Sequence, residues 1–260
     1  MNTAPTTITE TAPQQATNNE VVVEVTDLKK SFGAQEVLNG VSLKLFNGEN
    51  LVILGRSGTG KSVMIKCIIG LLTPDAGTIS VFGENVEMLS RIQLNTMRQK
   101  VGFLFQNGAL YDSMTVRQNL EFSLRRIKRE LTEKEIEEKV HEVLENVGLA
   151  DQIDKTPAQL SGGMQKRISL ARTIIVDPSV MLYDEPTTGL DPITSVEISN
   201  LINDVQKKYK TSSIVITHDI KCARTTATRI IMVKDGCVYK EGKLDDFENS
   251  DDELVRSFFM

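Results

Sequence analysis

The run Gly55-Arg56-Ser57-Gly58-Thr59-Gly60-Lys61-Ser62 constrains this chain more than any other stretch. A glycine is followed by four residues and then by Gly-Lys-Ser. An apolar, strand-like segment (51–54) precedes the run and an apolar segment at helical spacing (63–71) follows it. Strand, glycine loop and helix in that order form the context in which such a loop holds polyphosphate. The glycines let successive backbone N–H groups turn inward, and the helix N-terminus adds its partial positive charge. In that arrangement Lys61 reaches the β- and γ-phosphates and the Ser62 hydroxyl ligates Mg2+. The competing reading is a glycine-rich strand–helix turn with no ligand, but the full Gly-x-x-x-x-Gly-Lys-Ser pattern rarely arises by chance in that context. The chain is therefore predicted to bind a nucleoside triphosphate.

A second constellation supplies carboxylates. Val180-Met181-Leu182-Tyr183-Asp184-Glu185 is an apolar strand that ends in two acids. Beside a phosphate loop, Asp184 is placed to bind Mg2+ directly or through water, and Glu185, one residue on, points elsewhere and can accept a proton from the attacking water. Ile214-Val215-Ile216-Thr217-His218-Asp219 is a further strand with a polar tip. At the C-terminal edge of a parallel sheet, where ligands gather, His218 becomes a candidate γ-phosphate contact.

Further apolar runs at 21–25, 41–45, 78–81, 101–105 and 230–233 read as strands, and the continuous ones alternate with helical segments. That pattern predicts an α/β fold with a parallel sheet covered on both faces. The middle third differs. Thr115-Val116-Arg117-Gln118 and Thr132-Glu133-Lys134-Glu135 are capping boxes opening helices, and Gly148 is placed to end the second. Residues 107–170 thus read as a helical lobe inserted in the α/β core.

Together with Leu160-Ser161-Gly162-Gly163-Met164-Gln165, these motifs resemble those of the ATP-binding cassette (ABC) transporter ATPases over about 21–245. The resemblance implies a RecA-like P-loop NTPase core, an N-terminal antiparallel β subdomain and an inserted helical subdomain. It implies ATP and Mg2+ as cofactors and ATP hydrolysis as the activity. By position, Phe32 stacks on adenine, Gln106 senses Mg2+ and the attacking water, Asp184 binds Mg2+, Glu185 is the base and His218 senses the γ-phosphate. Ser161, Gly162 and Gly163 open a helix and close on ATP held by the phosphate loop of a second copy, which implies a head-to-tail dimer. Asp191, in Gly189-Leu190-Asp191-Pro192, matches the loop facing that second copy, yet it is equally suited to cap a helix with Pro192 at the first position.

The segment after Gln106, Asn107-Gly108-Ala109-Leu110-Tyr111-Asp112-Ser113-Met114-Thr115-Val116, is similar to one typical of ATPases that serve Mce-type lipid transporters, including the maintenance-of-lipid-asymmetry system. The resemblance implies transmembrane permease subunits and an Mce-domain lipid-binding protein as partners. It also implies phospholipid transport between the membranes of a Gram-negative-type envelope, driven from the cytoplasmic face of the inner membrane. Residues 107–116 also fit a generic contact of the helical lobe. An importer of a small polar solute shares all the catalytic residues and stays open.

Composition narrows the classes further. The net charge of −5 is uneven: residues 241–260 hold seven acids against Lys243 and Arg256, and 21–240 is close to neutral. No basic face of the kind that binds nucleic acid is expected. Cys67, Cys222 and Cys237 have no paired spacing, which fits a reducing compartment, and two histidines argue against a histidine-built metal site. No apolar run approaches the roughly 20 residues of a membrane helix, and no signal peptide is visible. Residues 1–19 read as a disordered leader, and 246–260 as an acidic, solvated tail ending in Phe258-Phe259-Met260.

Overall fold

The computed structural model describes residues 20–259; the predicted leader lies outside them. Two sheets organise the chain. The first is antiparallel, in the order β2-β1-β4-β5, from β1 (Val21–Phe32), β2 (Gln35–Phe46), β4 (Ala76–Val81) and β5 (Glu84–Asn85). The second runs β10-β9-β3-β8-β7-β6. It comprises β3 (Asn50–Leu54), β6 (Val101–Leu104), β7 (Val180–Asp184), β8 (Ser212–Thr217), β9 (Arg229–Lys234) and β10 (Cys237–Gly242). Its strands are parallel except for the β9–β10 hairpin.

The three central strands are buried at every residue, as continuous apolar runs in a two-faced parallel sheet require. Alternate side chains enter two separate cores. Leu51, Ile53, Leu182, Ile214 and Ile216 pack with the first sheet and α1 (Lys61–Ile68), whereas Val52, Leu54, Met181, Tyr183 and Val215 pack on the opposite side. There they meet the helical lobe and α6 (Pro192–Tyr209). Each such side chain removed from water contributes about 1.5–3 kcal/mol, so this alternation fixes the register of the sheet. That register pairs Leu54 with Thr217 and Asp184 with Ile216, which brings the carboxyl ends of β3, β7 and β8 to one edge.

The lobe contains α3 (Val116–Ile127), α4 (Glu133–Asn146) and α5 (Gly162–Ile174). Both predicted capping boxes form, and Gly148 takes φ +69° after α4. A third box, Ser90 with Gln93, opens α2 (Arg91–Gln99), whose Arg98 donates to the carbonyls of Ile69 and Gly70 past the end of α1. α7 (Ile220–Thr226) follows β8. Among the described residues no helix is long and apolar enough to cross a membrane.

The C-terminal segment departs from the expected solvated tail. It folds into α8 (Leu244–Glu248) and α9 (Glu253–Phe259), with Phe247 and Val255 fully buried in the lobe-side core. The Phe247 and Phe259 rings lie 5.9 Å apart, Tyr239 donates to Asp252 at 2.6 Å, and Arg224 pairs with Glu248 at 2.7 Å. The acids sit on the outer faces of two short helices while the few apolar residues turn inward. A charge count over the whole segment averages these faces together and hides the docking.

Candidate nucleotide site

The loop between β3 and α1 is shaped by its glycines. Gly58 and Gly60 have φ of +83° and +90°, a region ordinary residues avoid. A Cβ on Gly60 would lie 2.6 Å from the Val37 carbonyl oxygen of β2, and one on Gly55 would lie 2.7 Å from the Val233 carbonyl oxygen of β9. The Val37 carbonyl also lies 2.9 Å from a Cβ built on Gly236 in the β9–β10 turn. One backbone group of the first sheet therefore braces both the phosphate loop and a turn of the second.

No side chain caps the start of α1, which leaves its first N–H groups for a ligand. Lys61 is buried, and its ammonium donates to the carbonyls of Gly55 and Arg56 at 2.8 and 3.0 Å, with Glu185 Oε1 3.6 Å away. Burial lowers its pKa, against the pull of Glu185 and Asp184. The Ser62 hydroxyl donates to Asp184 Oδ1 at 2.7 Å, so the two oxygens expected to hold Mg2+ are already adjacent. A glycine cradle, an uncapped helix start and a buried ammonium fit a polyphosphate. A hydroxyl beside a carboxylate fits Mg2+, a hard cation that takes one or two protein oxygens together with phosphates and water. Among the described residues no group of three or more His, Cys, Asp or Glu side chains forms a closed metal cage.

Glu185 follows β7 in the left-handed region, at φ +49°, and its N–H donates to the Ile216 carbonyl at 2.9 Å. For a residue with a Cβ this conformation is strained, and such strain gathers at functional sites. Glu185 Oε2 meets His218 Nδ1 at 2.8 Å, and the Thr188 hydroxyl donates to it at 3.3 Å. Thr187 in turn donates to Asp219 at 3.0 Å, and Asp219 caps α7, which fixes the turn carrying His218.

A cleft of about 380 Å³ brings together Ser57, Gly58, Gly60, Lys61, Ser62, Gln106, Glu185 and His218, with Val37 and Thr188 also in its wall. Asp184 joins through Ser62, while Arg56 and Thr59 face a smaller hollow against Leu254 and Phe258 of α9. Other predicted residues lie apart from this cleft. Phe32 ends β1 half-exposed, with the Lys30 ammonium 5.6 Å from its ring. Ser161 caps α5, and the next two residues face the start of α6, Gly162 towards Leu190 and Gly163 towards Thr194. A Cβ on Gly163 would lie 2.5 Å from Thr194 Cγ2, so the two helix starts meet at contact distance. Asp191 caps α6: its Oδ1 accepts from the Ile193 and Thr194 amides at 3.0 and 3.1 Å, and its Oδ2 accepts from the Thr194 hydroxyl at 2.6 Å.

Sequence reasoning missed Val37, Thr188 and Asp219. Val37 acts through a backbone carbonyl, which leaves no trace in side-chain identity. Asp219 does carry a signal, because an acid after a strand and before a helical run is a capping residue.

The family described as ABC transporter matches residues 38–188. The chain belongs to that family. It is the ATP-binding subunit of an ABC transporter and an ATPase. Among its relatives is a methionine import ATP-binding protein of Rhizobium johnstonii, 37% identical over 94% of this chain and 67% of that one. A probable ribonucleotide transport ATP-binding protein of Mycobacterium leprae is 39% identical over 92% and 68%. The chloroplastic TRIGALACTOSYLDIACYLGLYCEROL 3 protein of Arabidopsis thaliana is 36% identical over 93% and 74%. A dimeric cassette in a post-hydrolysis state bound to ADP and phosphate superposes with a TM-score of 0.78 at 32% identity, covering 85% of this chain and 98% of that one. The cbiO1 subunit of the Clostridium perfringens cbiONQ complex gives 0.82 at 29% identity, over 92% and 94%. The fold is the ABC ATPase fold, as expected.

Proposed function

We propose that this ATPase powers phospholipid transport as a head-to-tail dimer bound to transmembrane permease subunits at the cytoplasmic face of the inner membrane, with an Mce-domain lipid-binding protein in the same complex. The observation that carries the lipid reading is the segment from Asn107 to Val116. It links Gln106 to the helical lobe, and its exposed Tyr111 stacks edge-on against Phe122 of α3 with ring centroids 5.1 Å apart. A relative whose own name is that of a galactolipid adds support. A dimeric cassette and a cassette that is part of an ABC transporter complex, both among the similar structures, support the assembly.

In this reading the Gly55–Ser62 loop and the start of α1 bind the phosphates, and Lys61 leaves the Gly55 and Arg56 carbonyls to reach the γ-phosphate. Ser62, Asp184 and Gln106 hold Mg2+, which when bound neutralises charge on the phosphate oxygens. Glu185 accepts the proton of the attacking water, while His218 and Thr188 orient its carboxylate. Phe32 supplies an aromatic face for adenine. Ser161, Gly162 and Gly163 close on ATP held by the second copy, and Asp191 keeps the adjoining α6 start in place for that contact.

Purification through a tag on this chain from detergent-solubilised native membranes, with mass spectrometry of proteins and lipids, tests the assignment. Recovery of a small permease, an Mce-domain protein and phospholipid is the expected result. A permease with a solute-binding protein would replace it by the second reading, import of a small polar solute, which the methionine-import relative favours.

A further inference from the structure

One face of α5 carries three polar side chains spaced three apart, and all three meet the backbone just beyond β6. The Lys166 ammonium donates to the Gln106 carbonyl, and Arg172 Nη1 donates to the Ala109 carbonyl at 2.8 Å. Between them, Ser169 packs over Gly108, where a Cβ would lie 2.5 Å from the Ser169 hydroxyl oxygen. Gly108 has φ +72°, so both sterics and backbone conformation call for glycine at this close approach. The loop that carries Gln106 is thus fastened along almost two turns of the helix that Ser161 caps.

Lys166 is the more deeply buried of the two cations. It is only 7% exposed, and like Arg172 it donates to a neutral carbonyl. Burial pushes its pKa down, while Asp184 and Glu185 act in the opposite direction. An ammonium buried against a neutral acceptor is unfavourable in itself, and an apolar side chain would fill the position at less cost. The charge therefore needs a reason other than packing, and the atom it holds belongs to Gln106.

We propose that Lys166 is a positioning residue that locks Gln106 to α5, so that Gln106 and the 161–163 helix start shift as one body. This rests on the role given to Gln106 above. Because 161–163 face the ATP of the second copy in that reading, engagement of one site sets Gln106 in the other. Lys166 thereby couples the two sites of the dimer.

The test uses the full chain as Lys166→Met and Lys166→Arg. Hydrogen exchange is read first without nucleotide, on peptides covering 106–110 and 161–165. Lys166→Met should raise exchange in both segments together by about tenfold, and Lys166→Arg, which keeps a cation, should stay near the parent. In steady state with the membrane partner, Lys166→Met should lower kcat at least about tenfold with KM for ATP within about threefold, and the Hill coefficient should fall towards one. Exchange that rises in one segment only, or in neither, overturns the linkage. Paired exchange with unchanged kcat keeps the linkage and overturns the role given to Gln106. If Lys166→Met does not fold, Gly108→Ala lifts the loop with Lys166 intact and has to give the same paired response.

Discussion

Replacing Phe247 by alanine removes the side chain that seats α8 in the lobe-side core. The ring is fully buried, lies 5.9 Å from the Phe259 ring, and has the Lys240 ammonium 5.2 Å from its centroid. Truncating a buried phenylalanine costs about 3–5 kcal/mol, the loss of transfer free energy plus the cavity left behind. In a chain of this length each kcal/mol moves the melting midpoint by about 2–4 °C, so the expected drop is roughly 6–20 °C. The assay is thermal and urea unfolding of the full chain by far-UV circular dichroism, beside Met88→Ala as a control. Met88 is 82% exposed and should stay within about 0.5 kcal/mol of the parent. A drop of under about 2 °C for Phe247→Ala, or a separate early transition confined to the C-terminus, would refute the docking of α8 and α9 onto the ATPase core.

Glu185→Gln should retain ATP binding while losing turnover by at least about a hundredfold, whereas Lys61→Ala should weaken binding of a fluorescent ATP analogue; near-normal turnover of Glu185→Gln would remove it from the base role. Gly163→Ala should lower ATPase activity because its Cβ meets Thr194 Cγ2, and Thr194→Ser in the same chain, which deletes that methyl group, should restore it. Failure of the rescue would place the effect elsewhere. Tyr183 is fully buried; burial pushes its pKa up, and the Ser213 hydroxyl beside its own makes no well-formed hydrogen bond with it. Tyr183→Phe should therefore leave stability within about 1 kcal/mol of the parent or raise it, as urea midpoints would reveal.

Much of the fold is legible in the sequence because its signals are local. The 51–54, 180–184 and 213–217 runs are apolar without alternation, and only a strand buried on both faces uses such a run. Thr115 and Thr132 announce helix starts through partners three residues away. The phosphate loop is legible for the same reason, since its glycines are required by the conformation of the loop itself. What escaped depends on distant neighbours. Nothing near Val37 indicates that its carbonyl will meet Gly60, and nothing around Lys166 indicates burial until the orientation of α5 is known. Asp191, open between two readings on sequence, spends its carboxylate oxygens on the α6 amides and the Thr194 hydroxyl. The cap is thus present in a single chain. The C-terminal helices were hidden by composition, because seven acids outweigh the few apolar residues that decide where the segment goes.

The brace formed by the Val37 carbonyl bears on how freely this site can be rebuilt. A phosphate loop is commonly treated as a portable module, a short run of glycines to be grafted onto any strand–helix junction. Here Gly60 and Gly236 are both matched to one backbone oxygen of β2, and Gly55 to the Val233 carbonyl. A graft that carried only the eight loop residues would leave these walls behind, and the loop would lose the surfaces that hold its shape before nucleotide arrives. The smallest transferable unit is β2, the loop and the β9–β10 turn together. A graft of the eight loop residues onto a strand–helix junction that lacks β2 and the β9–β10 turn should therefore bind nucleotide less tightly than this chain, even with every motif residue intact.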